Sequence, residues 1–351
     1  MINDANATFL TGATRLVGGL VLRKMAEQRP DHTIFALTRR TAGMPQLPKV
    51  RWLKGDISQQ RLGLPKSIYM QLCESVGTII HCAASTKFTL PLAASRNVNL
   101  RGTANVLELA RQTKRLQTLL HISTTYVAGR RSGALHEAEL ANPEGWFSAY
   151  EQSKFEAEKL IFETGGDLPW IIARPSTIVG NSLTGKVSQS NYFHQLLRLV
   201  PSSPLPVIPG SPEVLVDIVA DNWITDGLLA ILNGKPTTHS IFHLCTGPPQ
   251  SFPAGEIVEM AFCLYGRQRS SPAAKVPRFV TLEEFQTFAD VLRRNGQTAR
   301  SRIADPLLLY LPHLSVQQPF LNGNTNGFLQ RVGERLPPSP REFLPRIIRS
   351  C

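Results

Sequence analysis

A chain of 351 residues with 42% apolar content carries enough hydrophobic material for a large core, in one elaborated domain or two intimately packed ones. Five scattered cysteines, Cys73, Cys82, Cys245, Cys263 and Cys351, argue against a disulfide framework and for a reducing, cytoplasmic setting; with no CxxC or HExxH pattern, no metal site is expected. The formal charge of +12 comes without a recognisable nucleic-acid module, its arginines dispersed among helices and loops, so no nucleic-acid partner is expected and small acidic partners account for the charge as well.

In chain order, the residues ahead of the first strand include Asn3, Asp4 and Asn6 where a secretory leader would be basic, and no run reaches the ~18 uninterrupted apolar residues of a membrane span. The apolar run Ala7 to Leu10 leads into Thr11-Gly12-Ala13-Thr14-Arg15-Leu16-Val17-Gly18, and a helical pattern follows. Strand, glycine turn and helix form the context that holds a dinucleotide: Gly12 permits the tight turn, Gly18 lets the helix pack close to the strand, and the first helical amides face a pyrophosphate. Arg15 stands where a full G-x-x-G-x-x-G pattern has its middle glycine. Short buried runs recur at Thr33 to Thr38, Val50 to Leu53, Thr78 to Cys82, Thr118 to Ser123 and Trp170 to Ala173, with helical patterns at Ala94 to Lys114 and about Ser148 to Glu163. That alternation predicts an α/β fold with a doubly wound parallel sheet, a Rossmann arrangement. Beyond Pro175 proline and glycine become frequent (Pro201, Pro204, Pro206, Pro209, Gly210, Pro212) and the alternation weakens, so this half is expected to carry substrate specificity. The expected division is a dinucleotide-binding domain of residues 1–180 and about 213–246, and a smaller, mostly helical carboxyl-terminal substrate-binding subdomain of 181–212 and 247–351.

Cofactor choice is read at the end of the second strand, where an NAD site would place an acidic residue on the ribose 2′-OH. Arg39 and Arg40 stand there instead, which favours NADP(H), and Arg15 can approach the same 2′-phosphate. Two arginines after a strand also fit a solvated surface. Asp56, followed by Ile57 after the third strand, is placed to accept from an adenine amino group, although a plain loop aspartate reads the same way. The chemistry falls on Tyr150 and Lys154, whose spacing of four puts phenol and ammonium on one helical face, where a nearby cation lowers a phenol pKa. Thr124, a hydroxyl at a strand's carboxyl end, is chosen as their partner, with Ser123 as the fallback. His81 and His121 flank strands near this site and are read as satisfied core histidines without chemistry.

These residues resemble the extended short-chain dehydrogenases/reductases, and within them the fatty acyl-CoA reductases and the thioester reductase domains of carrier-protein assembly lines. The likeness is carried by Thr11 to Gly18, His81 to Ala84 with Phe88 following, Asn99 to Thr103, Ser123 to Gly129, Tyr150 to Lys154, Arg174 to Gly180 and Val216 to Val219, spanning about Thr8 to Leu232. The resemblance implies a catalytic triad of Thr124, Tyr150 and Lys154. It implies that Asn99 holds the lysine-bearing helix and a water, and that Ala83, Ala84 and the backbone of Pro175, Ser176 and Thr177 line the nicotinamide. Arg15 departs from the family's usual glycine, and the extra carboxyl-terminal domain of long fatty acyl-CoA reductases is not expected.

The expected activity is NADPH-dependent hydride transfer to a carbonyl, most readily an acyl thioester, in a biosynthetic pathway. A ketone or hydroxysteroid-type reductase and a sugar-nucleotide epimerase of the same superfamily remain open, as does a non-catalytic NADP(H)-binding sensor. A dehydratase is disfavoured because Thr125-Tyr126 stand where its acid pair would be. The later basic residues, Arg267, Arg269, Lys275, Arg278, Arg293, Arg294, Arg300 and Arg302, then Arg331, Arg335, Arg341, Arg346 and Arg349, read as solvated helix faces or, with Arg130 and Arg131, as a rim for coenzyme A phosphates or an acyl carrier protein. The assembly is expected to be a monomer or a homodimer.

Overall fold

The structure, a computed structural model, describes residues 6–141, 145–202, 205–269 and 275–350, with the helix path alone at 202 and 265–269. Asn3, Asp4, Pro204, Cys351 and the side chains of Arg267 and Arg269 lie outside the described residues.

Seven short apolar runs build the main sheet: β1 (Ala7–Thr11), β2 (Ile34–Thr38), β3 (Val50–Lys54), β4 (Val76–His81), β5 (Thr118–Ile122), β6 (Trp170–Pro175) and β7 (Ser240–Leu244). Every neighbouring pair is parallel, in the order β7-β6-β5-β4-β1-β2-β3. Strands covered by helices on both faces read as apolar runs, which is why β1, β2, β4, β5 and β6 were visible in the sequence. The fourth strand begins at Val76 and ends at His81, two residues earlier than the expected start and one before the expected end. The seventh lies in the proline-rich half, where no individual strand stood out.

Helices α1 (Leu16–Gln28) and α6 (Asp221–Asn233) cover one face, their buried residues merging with Leu10, Ile80 and Leu120. Helices α2 (Lys66–Ser75), α3 (Leu92–Gln112) and α4 (Ala149–Thr164) cover the other, around Phe9, Ile79 and Leu119. Helices α5 (Tyr192–Ser202), α7 (Ala254–Arg269), α8 (Leu282–Arg294) and α9 (Thr298–Tyr310) enclose a separate core of Leu196, Phe262, Phe285 and Leu307. Helices α10 (Gly323–Arg331) and α11 (Pro340–Ser350) return to the first face. The fold is thus a doubly wound sheet with a smaller, mostly helical carboxyl-terminal part. No helix among the described residues is long and apolar enough to cross a membrane.

One buried ion pair locks β6 to the helix beside it. Arg174, with no exposed surface, donates from Nε to both Glu158 oxygens at 3.0 and 3.2 Å and from Nη2 at 2.6 Å; its Nη1 reaches Ala138 O at 2.9 Å and His243 Nε2 on β7 at 3.2 Å. Removing the carboxylate strands a guanidinium in the core, so Glu158→Ala should cost ~3–5 kcal/mol, read as a fall in the urea midpoint. An apolar replacement of both partners, Glu158→Leu with Arg174→Met, should recover much of that loss.

Candidate active site

The sheet order reverses between β1 and β4, and their carboxyl ends open the crevice in which such folds bind ligands. Gly12 has φ +77°, and a Cβ there would lie 2.6 Å from Ala83 N; a Cβ on Gly18 would lie 2.4 Å from Gly12 O. The turn and the loop after β4 therefore touch backbone to backbone, the close approach a pyrophosphate cradle needs, and the residues fit a dinucleotide. Arg15 is the N-cap of α1 with φ −111°, an extended conformation open to any residue, so its replacement of a glycine leaves the turn intact. Thr14 and Arg15 are exposed, and Leu16, Val17 and Gly18 form the first turn of α1.

The Thr11 hydroxyl accepts from Cys82 N at 3.2 Å and Ala83 N at 3.1 Å, so its own proton goes to His81 Nδ1 at 2.8 Å. His81 then carries its proton on Nε2 and donates it to Thr103 Oγ1 at 3.1 Å, while Thr103 donates to Asn99 O at 2.7 Å. Burial and the nearby Lys154 ammonium push His81 down to about 3, which keeps it neutral. Asn99 accepts from Ser85 N at 2.7 Å and donates to Ser85 O at 3.1 Å and Ser153 Oγ at 2.9 Å, tying the loop that holds Ala83 and Ala84 to α4.

Tyr150 and Lys154 stand in the first two turns of α4, both buried, with the Ser148 hydroxyl capping the helix by accepting from Glu151 N at 3.3 Å. Thr124, the residue after Ser123 beyond β5, places its hydroxyl near the Tyr150 phenol, while the Ser123 hydroxyl is buried without a partner among the described residues. The expectation that Lys154 lowers the Tyr150 pKa is corrected: burial pushes the phenol above its ordinary value, and the nearby Thr124 hydroxyl offsets this only in part. The ammonium is directed elsewhere, donating to Ile122 O at 2.9 Å and His121 Nε2 at 3.1 Å, and burial lowers Lys154 to about 8. His121 is therefore not a fully satisfied core histidine: it accepts from Lys154, and its Nδ1 has no partner among the described residues.

Beyond the crevice, an apolar cavity runs among α5, α7 and α9 and is lined by Leu196, Leu197, Val200, Ile257, Val258 and Leu311. Its polar groups are few. Tyr126 OH bonds Thr177 Oγ1 at 2.9 Å and also Tyr192 OH, whose distance to Thr177 Oγ1 is 3.5 Å. Phe88 stands between this cluster and α4, its ring centroid 5.6 Å from Tyr150, 5.3 Å from Tyr192 and 6.2 Å from His313. His313 Nε2 meets the buried Glu151 carboxylate at 2.9 Å, across 162 residues of sequence. Ser176 donates to Asp217 Oδ1 at 2.5 Å, and that buried carboxylate also accepts from Thr246 N, Thr246 Oγ1, Gly247 N and Ser251 Oγ. Pro175 ends β6 and is buried beside them. Asp217 lies within a stretch carrying the family likeness, but its role as a knot required the fold to be seen; Tyr192 and His313 had no local signal.

Arg39 and Arg40 are exposed at the carboxyl end of β2. Asp56 accepts from Ser58 N at 2.9 Å and Ser58 Oγ at 2.8 Å, which spends one oxygen on its own turn, and Ile57 is buried against Gly102. Several of the later arginines have local partners: Arg293 pairs with Asp290 and Asp305, Arg341 with Glu256, and Arg331 lies over the Phe328 ring. Lys275, Arg278, Arg294, Arg300, Arg302, Arg335, Arg346 and Arg349 are exposed. Arg131 is not a rim residue; it is half-buried, donating to Val127 O and Ala128 O, with its guanidinium over Phe155. Arg130 is exposed and lies over Phe147.

The profile of the family described as male sterility protein, an NAD-binding family, matches residues 10–227. Among curated proteins, the nonribosomal peptide synthetase asaC of Aspergillus flavus is 28% identical over 271 residues, covering 69% of this chain and 26% of that protein. The putative fatty acyl-CoA reductase CG8306 of Drosophila melanogaster is 25% identical over 310 residues, covering 70% of this chain and 60% of that one. The chain thus spans about a quarter of one relative and three fifths of the other. Among solved structures, the terminal R domain from the myxalamid PKS-NRPS biosynthetic pathway superposes with a TM-score of 0.80 at 23% identity, covering 99% of this chain and 91% of that one.

The histidine network sets a pH dependence. His81 and His243 sit at about 3 in the folded chain, both chiefly by burial, against about 6.5 when unfolded, so the unfolded state binds more protons between those values. Stability from these histidines is complete above pH 6.5 and declines as pH falls toward 3. Urea titrations between pH 7 and 5 should show this fall, and His81→Asn should remove roughly one proton's share of the slope, about 1.4 kcal/mol per pH unit at its steepest.

Proposed function

Because the chain belongs to the male sterility protein family of extended short-chain dehydrogenases/reductases, and is an NAD(P)-dependent oxidoreductase, we propose that it is an NADPH-dependent reductase of acyl thioesters, giving an aldehyde or alcohol in a biosynthetic pathway. The observation that carries this reading is the buried Tyr150 phenol, with Thr124 beside it, set one aromatic ring, that of Phe88, from the polar cluster of an apolar cavity. A relative named as a fatty acyl-CoA reductase, whose substrate is by that name a thioester, supports the substrate class. Residues 1–180 and about 213–246 would hold the dinucleotide, and 181–212 with 247–351 the acyl group, presented on coenzyme A or an acyl carrier protein.

Thr11, Gly12, Thr14, Arg15, Leu16, Val17 and Gly18 would cradle the pyrophosphate, with Asp56 and Ile57 beside the adenine. Ala83, Ala84, Asn99, Pro175, Ser176 and Thr177 would frame the nicotinamide, which when bound supplies the hydride. Burial keeps the Tyr150 phenol protonated, so it holds a proton for the oxyanion that develops on the substrate carbonyl, and Thr124 orients that oxygen. Lys154 spends two N–H groups on Ile122 O and His121, which leaves a third for a ribose hydroxyl. With a thioester, the tetrahedral adduct expels the thiol to leave an aldehyde.

NADPH consumption measured against acyl-CoAs, ketones and aldehydes tests the assignment; cofactor binding without turnover on any of them would return the chain to a sensor. Tyr150→Phe keeps the ring and deletes the proton donor, so thioester reduction should fall by at least ~10²-fold with cofactor affinity nearly unchanged. Arg39→Ala should weaken NADPH binding about ten- to a hundredfold and NADH binding little, by titration calorimetry; equal affinity of the unmodified protein for both cofactors would remove the basis for NADPH.

A further inference from the structure

The cavity that takes the acyl group in the reading above is apolar along most of its wall and polar at one end. Tyr126, Thr177, Tyr192 and His313 stand there, and Ser176, Asp217 and Gln318 also line the cavity. The Tyr126 and His313 rings stand 4.8 Å apart, and the Tyr126 backbone N–H donates to Thr124 Oγ1 at 3.3 Å, so the polar end lies on the side of the reacting carbonyl.

The hydroxyls of Tyr126, Thr177 and Tyr192 satisfy one another's donors around a closed triangle, each keeping a lone pair to spare. His313 is different. Its Nε2 faces a Glu151 oxygen that already accepts from the Ser148 hydroxyl at 2.9 Å, and a carboxylate can only accept, so Nε2 must be the donor. In the neutral ring Nδ1 is then a bare acceptor, buried and without a partner among the described residues. An unmade hydrogen bond of this kind is costly in an apolar wall, and a plain alkyl chain filling the cavity would leave it unmade.

Resting on the thioester reading, we infer that the acyl group carries a hydrogen-bond donor close to its thioester carbonyl, a hydroxyl or an amide N–H, followed by an apolar remainder. Nδ1 of His313 accepts from that donor, and the spare lone pairs of the hydroxyl triangle give it a second acceptor. Both donor chemistries meet the same requirement, and the two sources are separated by substrate.

The test compares kcat/KM for NADPH-dependent reduction of pantetheine thioesters by the full chain, with decanoyl, β-hydroxydecanoyl, β-methoxydecanoyl and a length-matched N-acylaminoacyl group. The hydroxyl or the amide thioester should exceed both the plain and the methoxy thioester by roughly tenfold, the effect of one added hydrogen bond, since the ether supplies an acceptor of similar size without a donor. In His313→Gln and Tyr126→Phe that ratio should fall toward one; being a ratio within one preparation, it is insensitive to a partly misfolded sample. Equal kcat/KM for all four thioesters, or a ratio that survives His313→Gln, overturns the inference while the thioester reading stands. Reduction of none of them, with ketones or aldehydes reduced instead, overturns both.

Discussion

The hydroxyl of Thr11 is the point on which the crevice depends. By accepting two backbone amides from the loop after β4, it holds that loop against the glycine turn, and by donating to His81 it starts a chain of hydrogen bonds that leads toward α4. The chain runs through His81 and Thr103 to the backbone of Asn99, and the Asn99 side chain closes it on Ser153, the residue before Lys154. Each donor in it has one acceptor, which fixes the tautomer of His81 and leaves no member able to reorient without stranding a buried polar group. The dinucleotide turn and the helix bearing Tyr150 are thus registered to each other by side chains rather than by sheet geometry alone.

The parts legible in the sequence are those in which local pattern and tertiary environment agree. Five of the six strands stood out because burial on both faces makes a strand largely apolar, β3 at the sheet edge being only half-buried, and the glycine turn because only glycine tolerates the backbone contacts at positions 12 and 18. The seventh strand was missed because Ser240 to Leu244 sits among prolines and turns, with nothing local to show that His243 faces a buried arginine. A spacing of four correctly put Tyr150 and Lys154 on one helix, but spacing carries no information about depth. Burial, not the neighbouring charge, sets the direction of the phenol's shift, and Lys154 turns toward the strand. Contacts such as Glu151 with His313 join residues so far apart that no periodicity could announce them.

The later helices keep a core of their own while α5 and α7 also pack into the main core through Phe193, Leu197, Ile257 and Ala261, and aromatic contacts join them to the candidate site. Phe88 is the chief aromatic one, touching Tyr150 on one side and Tyr192, Tyr310 and His313 on the other. In the function proposed above, proton chemistry falls to the hydrogen-bonded sheet edge, and recognition to a cavity whose wall is mostly contributed from elsewhere in the chain. The few polar groups facing that cavity carry correspondingly more of the discrimination between ligands.

The Asp217 carboxylate has a consequence for recombining such proteins. All of its donors come from Ser176 and from residues 246–251, so the knot is complete before the chain enters α7. A chimera that exchanges the segment from α7 through α9 for that of a relative leaves this carboxylate fully solvated by its own donors. A crossover placed between Asp217 and Thr246 divides the acceptor from most of its donors, and unless the incoming segment restores them it leaves a buried charge unpaired. The natural seam for domain grafting therefore lies just after Ser251, well past the end of the apparent sequence likeness at about Leu232.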